Sequence, residues 1–386
     1  MKVPITKPYL GNEESKAVAQ VLKSGWLVQG TKVAEFEKMI VEFTKAKFAR
    51  ASTSCTTSLH LALVALGIGH GDEVLLPSFT FIASANAIEY TGAKPVFIDI
   101  DLNTFNIDTK KVEEYLEQAK KRGVKVKGIM PVHLFGFMAD MTPIMELAKE
   151  YNLCVVEDAA CALGSLYKSK HAGTFGDAGS FSFHPRKIIT TGEGGMLTTN
   201  NHEMAIKVQS LREHGVTKSG IDREKNGGYL LSTYKVLGYN YRMADIQGAI
   251  GVEQMKKLPW ILEKRASRAK IYNEELKGLG WLKTPYAPDG YKHTYQSYVT
   301  LIILGSTIKR NRLMARLEEK GIATRQGTHA VHTLGYYKKK YGLKDEDYPN
   351  SLIADRLSMT LPLYPQMTDD EQGYVIDNLL KLGKRL

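Results

Sequence analysis

With 386 residues, 43% of them hydrophobic, the chain can fill one large core and a smaller one. Its 52 Lys+Arg against 41 Asp+Glu give a formal charge of +11, which suits acidic partners in general and selects none of them. No apolar run reaches the length of a bilayer span, and Cys55, Cys154 and Cys161 are too scattered for a disulfide frame or a zinc knuckle.

The opening residues MKVPITKPYLGNEESK contain no continuous apolar segment of signal-peptide type, so the expected location is the cytoplasm, with no membrane partner. The basic surplus is densest in KKRGVKVKG (120–128) and YYKKKYG (336–342). Neither stretch lies in a recognisable nucleic-acid module, so both read as solvated helix ends and loops and no nucleic-acid partner is expected.

Between residues 48 and 200, short β-branched runs alternate with helical patterns, which predicts an α/β layer with a largely parallel sheet. The first notable element is STSCTTSLHLALVALGIG (52–69), where small hydroxyl residues stand directly before a helix. Free N–H groups and the positive helix end at Thr56, Thr57 and Ser58 suit a phosphate; the same residues also serve as a plain N-cap in helices without a ligand. After the strand DEVLLPS (72–78) comes Phe81, placed either to lie flat on an aromatic ring or to fill core. The strand AKPVFIDID (93–101) follows, then VKGIMPVHLFG (126–136), whose His133 is expected to orient a strand-end loop.

LCVVEDAACALGS (153–165) ends an apolar strand with Glu157 and Asp158, at the edge where ligands gather in open α/β sheets. A carboxylate there is a helix cap or a ligand group. Next, AGSFSFHP (178–185) and GGMLTTN (194–200) bracket Lys187 and the turn ITTGEGG. Residues 241–279 predict a long helical stretch interrupted near Pro259. Beyond it, aromatic strands such as YQSYVTLIIL (295–304) alternate with charged helices such as IKRNRLMARLEEKG (308–321). The change of texture places a boundary near Leu258, dividing an arm and large domain (1–257) from a smaller α+β domain (258–386).

A phosphate cup, a carboxylate, a planar stacking residue and a lysine after the next strand together meet the needs of pyridoxal 5′-phosphate. The lysine joins the cofactor covalently and the carboxylate keeps the pyridine nitrogen protonated. An ordinary lysine titrates near 10.4; Arg186 and partial burial are expected to bring Lys187 lower.

The order of these motifs resembles the DegT/DnrJ/EryC1/StrS aminotransferases, which place amino groups on nucleotide-linked keto sugars and on some cyclitols. The likeness runs nearly end to end: SGWLVQGTKVAEFE (24–37), GIGHGDEVLLPSFTFIASANAI (67–88), VEDAACALGS (156–165), FSFHPRKIITTGEGG (181–195), GYNYRMADIQGAIG (238–251) and LPLYPQMTDDEQ (361–372). The resemblance implies the fold-type I architecture, a large domain with a seven-stranded, mostly parallel sheet plus a smaller C-terminal α+β domain. It also implies homodimers whose active sites use both chains. Lys187 then corresponds to the Schiff-base lysine, Asp158 to the ring-nitrogen partner and Phe81 to the stacking residue. Thr56, Thr57 and Ser182 match phosphate-binding positions, and Asn240 matches an asparagine that reaches the phosphate from the partner subunit.

Cys161 stands where many relatives have glutamine or histidine near the cofactor's ring hydroxyl, and Cys55 where glycine is frequent. A thiol is a weak donor, which puts that hydrogen bond in question. Relatives that became sugar dehydratases carry histidine at the lysine position, so Lys187 argues for transamination.

The implied reaction moves an amino group from glutamate, by family habit, to a nucleotide-linked keto sugar, and ITTGEGG points toward a 4-keto-6-deoxy sugar. Competing readings are an aminotransferase for a keto-inositol of the scyllo-inosose type, and a regulatory or nucleic-acid-binding protein that holds the cofactor. Trp26, Leu27, His184, Arg212, Arg242, Arg325 and His329 are candidate substrate contacts, each equally compatible with a surface role. The H-x-x-H spacing of GTHAVH (327–332) has no carboxylate motif nearby and is not read as a metal site. TGEGGM lacks the glycine spacing of a nicotinamide-binding turn.

Overall fold

The computed structural model describes residues 1–216 and 233–383. Seven strands form the main sheet: β1 (Phe48–Ser52), β2 (Glu73–Pro77), β3 (Lys94–Ile98), β4 (Val126–Ile129), β5 (Cys154–Asp158), β6 (Ala178–Ser182) and β7 (Gly195–Thr199). Their order across the sheet is β1-β7-β6-β5-β4-β2-β3, and only β7 runs against its neighbours. Every residue of β2 and of β7 is buried, as a sheet covered on both faces requires.

Successive side chains of a strand turn to opposite faces, and two cores result. Leu75, Val96, Ile129 and Val155 share one core with Phe36 of α2 (Thr31–Thr44), Leu116 of α5 (Thr109–Arg122) and Ile144 of α6 (Met141–Glu150). Val74, Phe97, Val156 and Leu197 share the other with Leu59 of α3 (Cys55–Ala65), Ile88 of α4 (Ile82–Glu89) and Val208 of α7 (His202–Arg212). The preceding helix α1 (Asn12–Ser24) packs against α8 (Asp245–Glu275).

Helix α8 is a single element of 31 residues that passes through Pro259, correcting the interruption expected there. Proline inside a helix costs about 3 kcal/mol; the burial of Leu258, Ile261 and Leu262 in the first core offsets that cost on both sides of the ring. Further along α8, Ala269 and Tyr272 belong to a third core, so the helix carries the chain from one packing unit to the next.

That third core lies under a three-stranded antiparallel sheet, in which β9 (Tyr298–Ile302) pairs with both β8 (Leu282–Lys283) and β10 (Ser358–Leu361). Helices Arg310–Glu319 and Asp369–Gly383 contribute Leu313, Leu317, Val375 and Leu379 to it. The amino-terminal arm, grouped by sequence with the large domain, joins this smaller unit instead. Val3 is 1% exposed there and exchanges backbone bonds with Gly321 and Ala323, because an isolated apolar residue gains more from burial than from water.

Several ties bind the smaller unit to the large one, among them Asp99, which accepts from the N–H groups of Asn350 and Ser351 at 2.9 and 2.7 Å. His329–Ala330 pairs antiparallel with Phe79–Thr80 just beyond β2, with Val331 N–H on the Ser78 carbonyl at 2.7 Å. Buried Arg265 of α8 donates to the carbonyls of Tyr295, Gln296 and Leu363 at 3.1, 3.1 and 3.3 Å, and burial brings its pKa down to about 10. No helix among the described residues is long and apolar enough to cross a membrane.

Candidate active site

The carboxyl ends of β2, β5 and β6 and the start of α3 border a cavity of about 440 Å³. Thr56, Phe81, Asp158, Ser182 and Lys187 line it from the large domain, and Arg325 lines it from the smaller one.

Ser54 begins α3 in a reciprocal cap, its side chain accepting from Thr57 N–H at 3.2 Å while its own N–H donates to Thr57 Oγ1 at 3.0 Å. The Thr57 hydroxyl also donates to the Ser54 carbonyl at 2.8 Å and does not line the cavity. This corrects its expected place in the phosphate cup: the cap consumes both of its polar groups. The N–H groups of Cys55 and Thr56 precede any helical acceptor and remain at the cavity. Packing of β7 against this turn demands glycine, since a Cβ on Gly195 would lie 2.2 Å from the Ser54 carbonyl oxygen.

The adjacent carboxylates of β5 separate by strand alternation. Glu157, fully buried, accepts from the N–H groups of Phe175, Gly173 and Gly176 at 2.6, 2.8 and 2.9 Å and from His133 Nε2 at 3.0 Å. Burial alone would raise its pKa, but His133 and these N–H groups hold it below the ordinary value. Because His133 Nδ1 accepts from Ala139 N–H at 3.1 Å, its proton sits on Nε2 toward Glu157. Both residues therefore order the loops behind the site. Asp158 faces the cavity instead, accepting from Ser84 Oγ at 2.6 Å and from Ala160 N–H at 3.1 Å.

Lys187 follows β6, and its Nζ stands 3.1 Å from Cys161 Sγ. Burial acts to lower its pKa, as expected, but Cys161, Cys55 and Asp158 outweigh burial and the net direction is upward. The net direction is thus opposite to the downward one expected from Arg186, because the hydrogen bond to the Cys161 sulfur and the Asp158 carboxylate favour the charged amine. Burial and Asp158 push the Cys55 thiol well above its ordinary range. In cofactor-stripped protein, Cys161→Ala is expected to lower the Lys187 pKa, because burial then acts against weaker opposition. The pH midpoint of Lys187 modification by an amine reagent measures the shift, and an unmoved midpoint would refute the sulfur's part in it.

Phe81 is 62% exposed at the start of α4, a large aromatic left open against the cavity. Ser182 Oγ accepts from His184 N–H at 3.4 Å, and His184, which also lines the cavity, has its pKa lowered by burial. Sequence reasoning missed Ser84 and Gln296. Ser84 braces Asp158, and Gln296 lines the cavity while donating to the Arg186 carbonyl at 2.5 Å. A serine in the first turn after Phe81 was the available signal for one; nothing local marks the other.

Several candidates lie elsewhere. Arg212, 3% exposed, bonds Glu37 and the Ala51 carbonyl, both at 2.6 Å, so its guanidinium is consumed internally. Trp26 donates to the Gln29 carbonyl at 3.3 Å, and Gln29 reaches Glu213, which bridges to exposed Asn240. Trp26, Leu27, Asn240 and half-buried Arg242 do not line this chain's own cavity. His329 is exposed and pairs with Gln326, while His332 is buried against Ser78, so the two histidines do not converge.

The donor set fits pyridoxal phosphate: an amine and a carboxylate face one cavity beside an open aromatic ring, hydroxyls and a helix amino end. Residues 8–380 match the DegT/DnrJ/EryC1/StrS aminotransferase family. The spore coat polysaccharide biosynthesis protein SpsC of Bacillus subtilis is 39% identical, covering 99% of this chain and 97% of its own. GDP-perosamine synthase of Caulobacter vibrioides is 39% identical over 97% of this chain and 96% of its own. The PLP-form structure of the putative sugar aminotransferase Spr1654 from Streptococcus pneumoniae superposes with a TM-score of 0.90 at 28% identity, over 100% of this chain and 99% of that one. The chain belongs to the DegT/DnrJ/EryC1/StrS aminotransferase family, whose members are pyridoxal-phosphate-dependent transferases.

Proposed function

We propose that this aminotransferase moves an amino group from glutamate onto a nucleotide-linked keto sugar, at the 4-keto position of a 6-deoxy sugar, and works as a homodimer in the cytoplasm. The observation that carries the reading is the convergence of Lys187 and Asp158 on one cavity beside the amino end of α3. The likeness to a GDP-perosamine synthase supports a nucleotide-linked acceptor. The placement of Asn240 outside its own cavity supports a site completed by a second chain, and three free cysteines suit a reducing compartment. We retain the division near Leu258, with α8 spanning it.

When bound, pyridoxal phosphate supplies an electron sink for the carbon–hydrogen bond beside an amine. Lys187 Nζ would hold the group, and the same amine is placed to carry the proton that moves during transfer. The Asp158 carboxylate, fixed by Ser84 and Ala160, holds positive charge on the ring nitrogen. Phe81 would pack against the ring. Thr56, Ser182 and the first N–H groups of α3 hold the phosphate, and Cys161 stands beside the lysine.

Holoenzyme supplied with glutamate and a panel of nucleotide-linked keto sugars is expected to release amino sugars detectable by mass. Amination of scyllo-inosose alone would replace the acceptor named here, and a product from a 3-keto sugar alone would replace the position. Asp158→Asn is expected to lower kcat at least about 100-fold, the usual scale for removing one preorganised charge partner. Its fold should hold, because the amide oxygen still accepts one bond; steady-state kinetics beside a thermal unfolding curve tests both statements.

A further inference from the structure

Cys161 follows β5 and Lys187 follows β6, and both half-buried side chains line the cavity, with Nζ 3.1 Å from Sγ. Among the described residues that sulfur is the one hydrogen-bond partner of the amine. In the turn that carries Cys161, Ala162 N–H bonds the Ala159 carbonyl at 2.9 Å and Ala160 N–H bonds Asp158 at 3.1 Å. In the other turn, Lys187 N–H bonds the His184 carbonyl at 2.8 Å, and Gln296 holds the Arg186 carbonyl at 2.5 Å. The fold thus sets sulfur and amine against each other, and only the flexible lysine stem need move to close the gap.

The other two cysteines lack this arrangement. Cys55 is 8% exposed, and its thiol is directed to the Ser180 carbonyl at 3.6 Å. Cys154 begins β5, at the end of the strand opposite the cavity. Oxidisable cysteines are partly exposed and stand beside a cation, and a second nucleophile within reach traps the sulfenic acid. Cys161 meets each condition, with Lys187 as both the cation and the nucleophile.

We propose that Cys161 and Lys187 are an oxidative cross-linking site, at which peroxide joins the pair through a covalent N–S bond, a sulfenamide. The thiol sulfur first attacks one peroxide oxygen; the O–O bond breaks, sulfur is oxidised to the sulfenic acid and water leaves. The neutral sulfenic acid no longer favours the ammonium, so burial, the largest influence on Lys187, drives off its proton. The amine lone pair then attacks Sγ, the S–O bond breaks, and the departing hydroxide takes an amine proton and leaves as water. One peroxide has become two waters, and the neutral pair has lost two hydrogen atoms. Thiol reductants reverse the bond. While it stands the amine is consumed and cannot take the cofactor covalently. That consequence rests on the role proposed above for Lys187, whereas the bond itself does not.

The test treats the full chain, as holoenzyme and after removal of the cofactor, with hydrogen peroxide, and reads intact mass and a peptide map. The stripped protein is expected to lose the mass of two hydrogens and to yield a peptide joining Cys161 to Lys187. Its cofactor uptake, read by absorbance, should fall in proportion to the joined fraction, and dithiothreitol should restore both. Cys55→Ser should still cross-link and Cys161→Ser should not, while Lys187→Gln should stop at a sulfenic acid that a dione reagent labels. A Cys55–Cys161 disulfide, a link that retains an oxygen atom, or a sulfenic acid left unjoined in the wild type each overturns the proposal. The wild-type map alone decides if a variant fails to fold. Bound cofactor is expected to slow the cross-link. Equal rates with and without it, with the bond formed, would overturn the anchoring role of Lys187 and leave the cross-link standing.

Discussion

Lys187→Ala is expected to transfer no measurable amino group, a loss of at least about 10⁴-fold at the upper end of what a single acid–base group contributes. In the proposed reaction two roles would vanish together, those of covalent anchor and of carrier of the migrating proton. The side chain lies half-buried against Cys161, and no other lysine lines the cavity among the described residues. Absorbance should show cofactor held without the covalent band of the wild type, and glutamate should leave that spectrum unchanged on the time scale of normal turnover. A variant retaining more than a few per cent of wild-type rate would remove Lys187 from the centre of the reaction.

Glu157→Ala is expected to cost about 3–5 kcal/mol of stability, the range for breaking a buried, hydrogen-bonded ionic cluster from one side. The truncation strands three backbone N–H groups and the Nε2–H of His133 in a fully buried region. Denaturant unfolding at neutral pH reads the loss, and Glu157→Gln should give a smaller one. The pH dependence has a definite sign. The folded carboxyl titrates below its ordinary value of 4.5, so its stabilisation is complete above that value and disappears as pH falls through the folded pKa. The stability gap between wild type and Glu157→Gln should therefore narrow on acidification below 4.5; a constant gap would show that Glu157 is not ionised in the fold.

The groups that line the cavity from the main sheet were legible because parallel strands announce themselves as unalternating apolar runs and place side chains of this kind at their ends. Asp158, Ser182 and Lys187 all follow from that rule, as does the sheet that carries them. What stayed hidden depends on partners distant in sequence. Arg212 looked available for substrate until the fold brought Glu37 to it, 175 residues away. Thr57 was credited to the phosphate cup because a hydroxyl in a first turn serves cap and ligand equally, and only geometry shows which use prevails. The net direction of the Lys187 pKa was missed for a similar reason: the sequence places Arg186 beside it, while Cys55, Cys161 and Asp158 reach it through the fold.

The ladder between His329–Ala330 and Phe79–Thr80 joins the two walls of the cavity by backbone bonds. Swinging those walls apart would break this strand pairing, which favours a site whose outline stands before a ligand enters. The entropy of placing the Arg325 backbone across the cavity from Lys187 is then spent before any ligand arrives. Discrimination among acceptors must come from how well a rigid sugar matches a standing outline, so poor substrates should fail at entry instead of being gripped and slowly turned over.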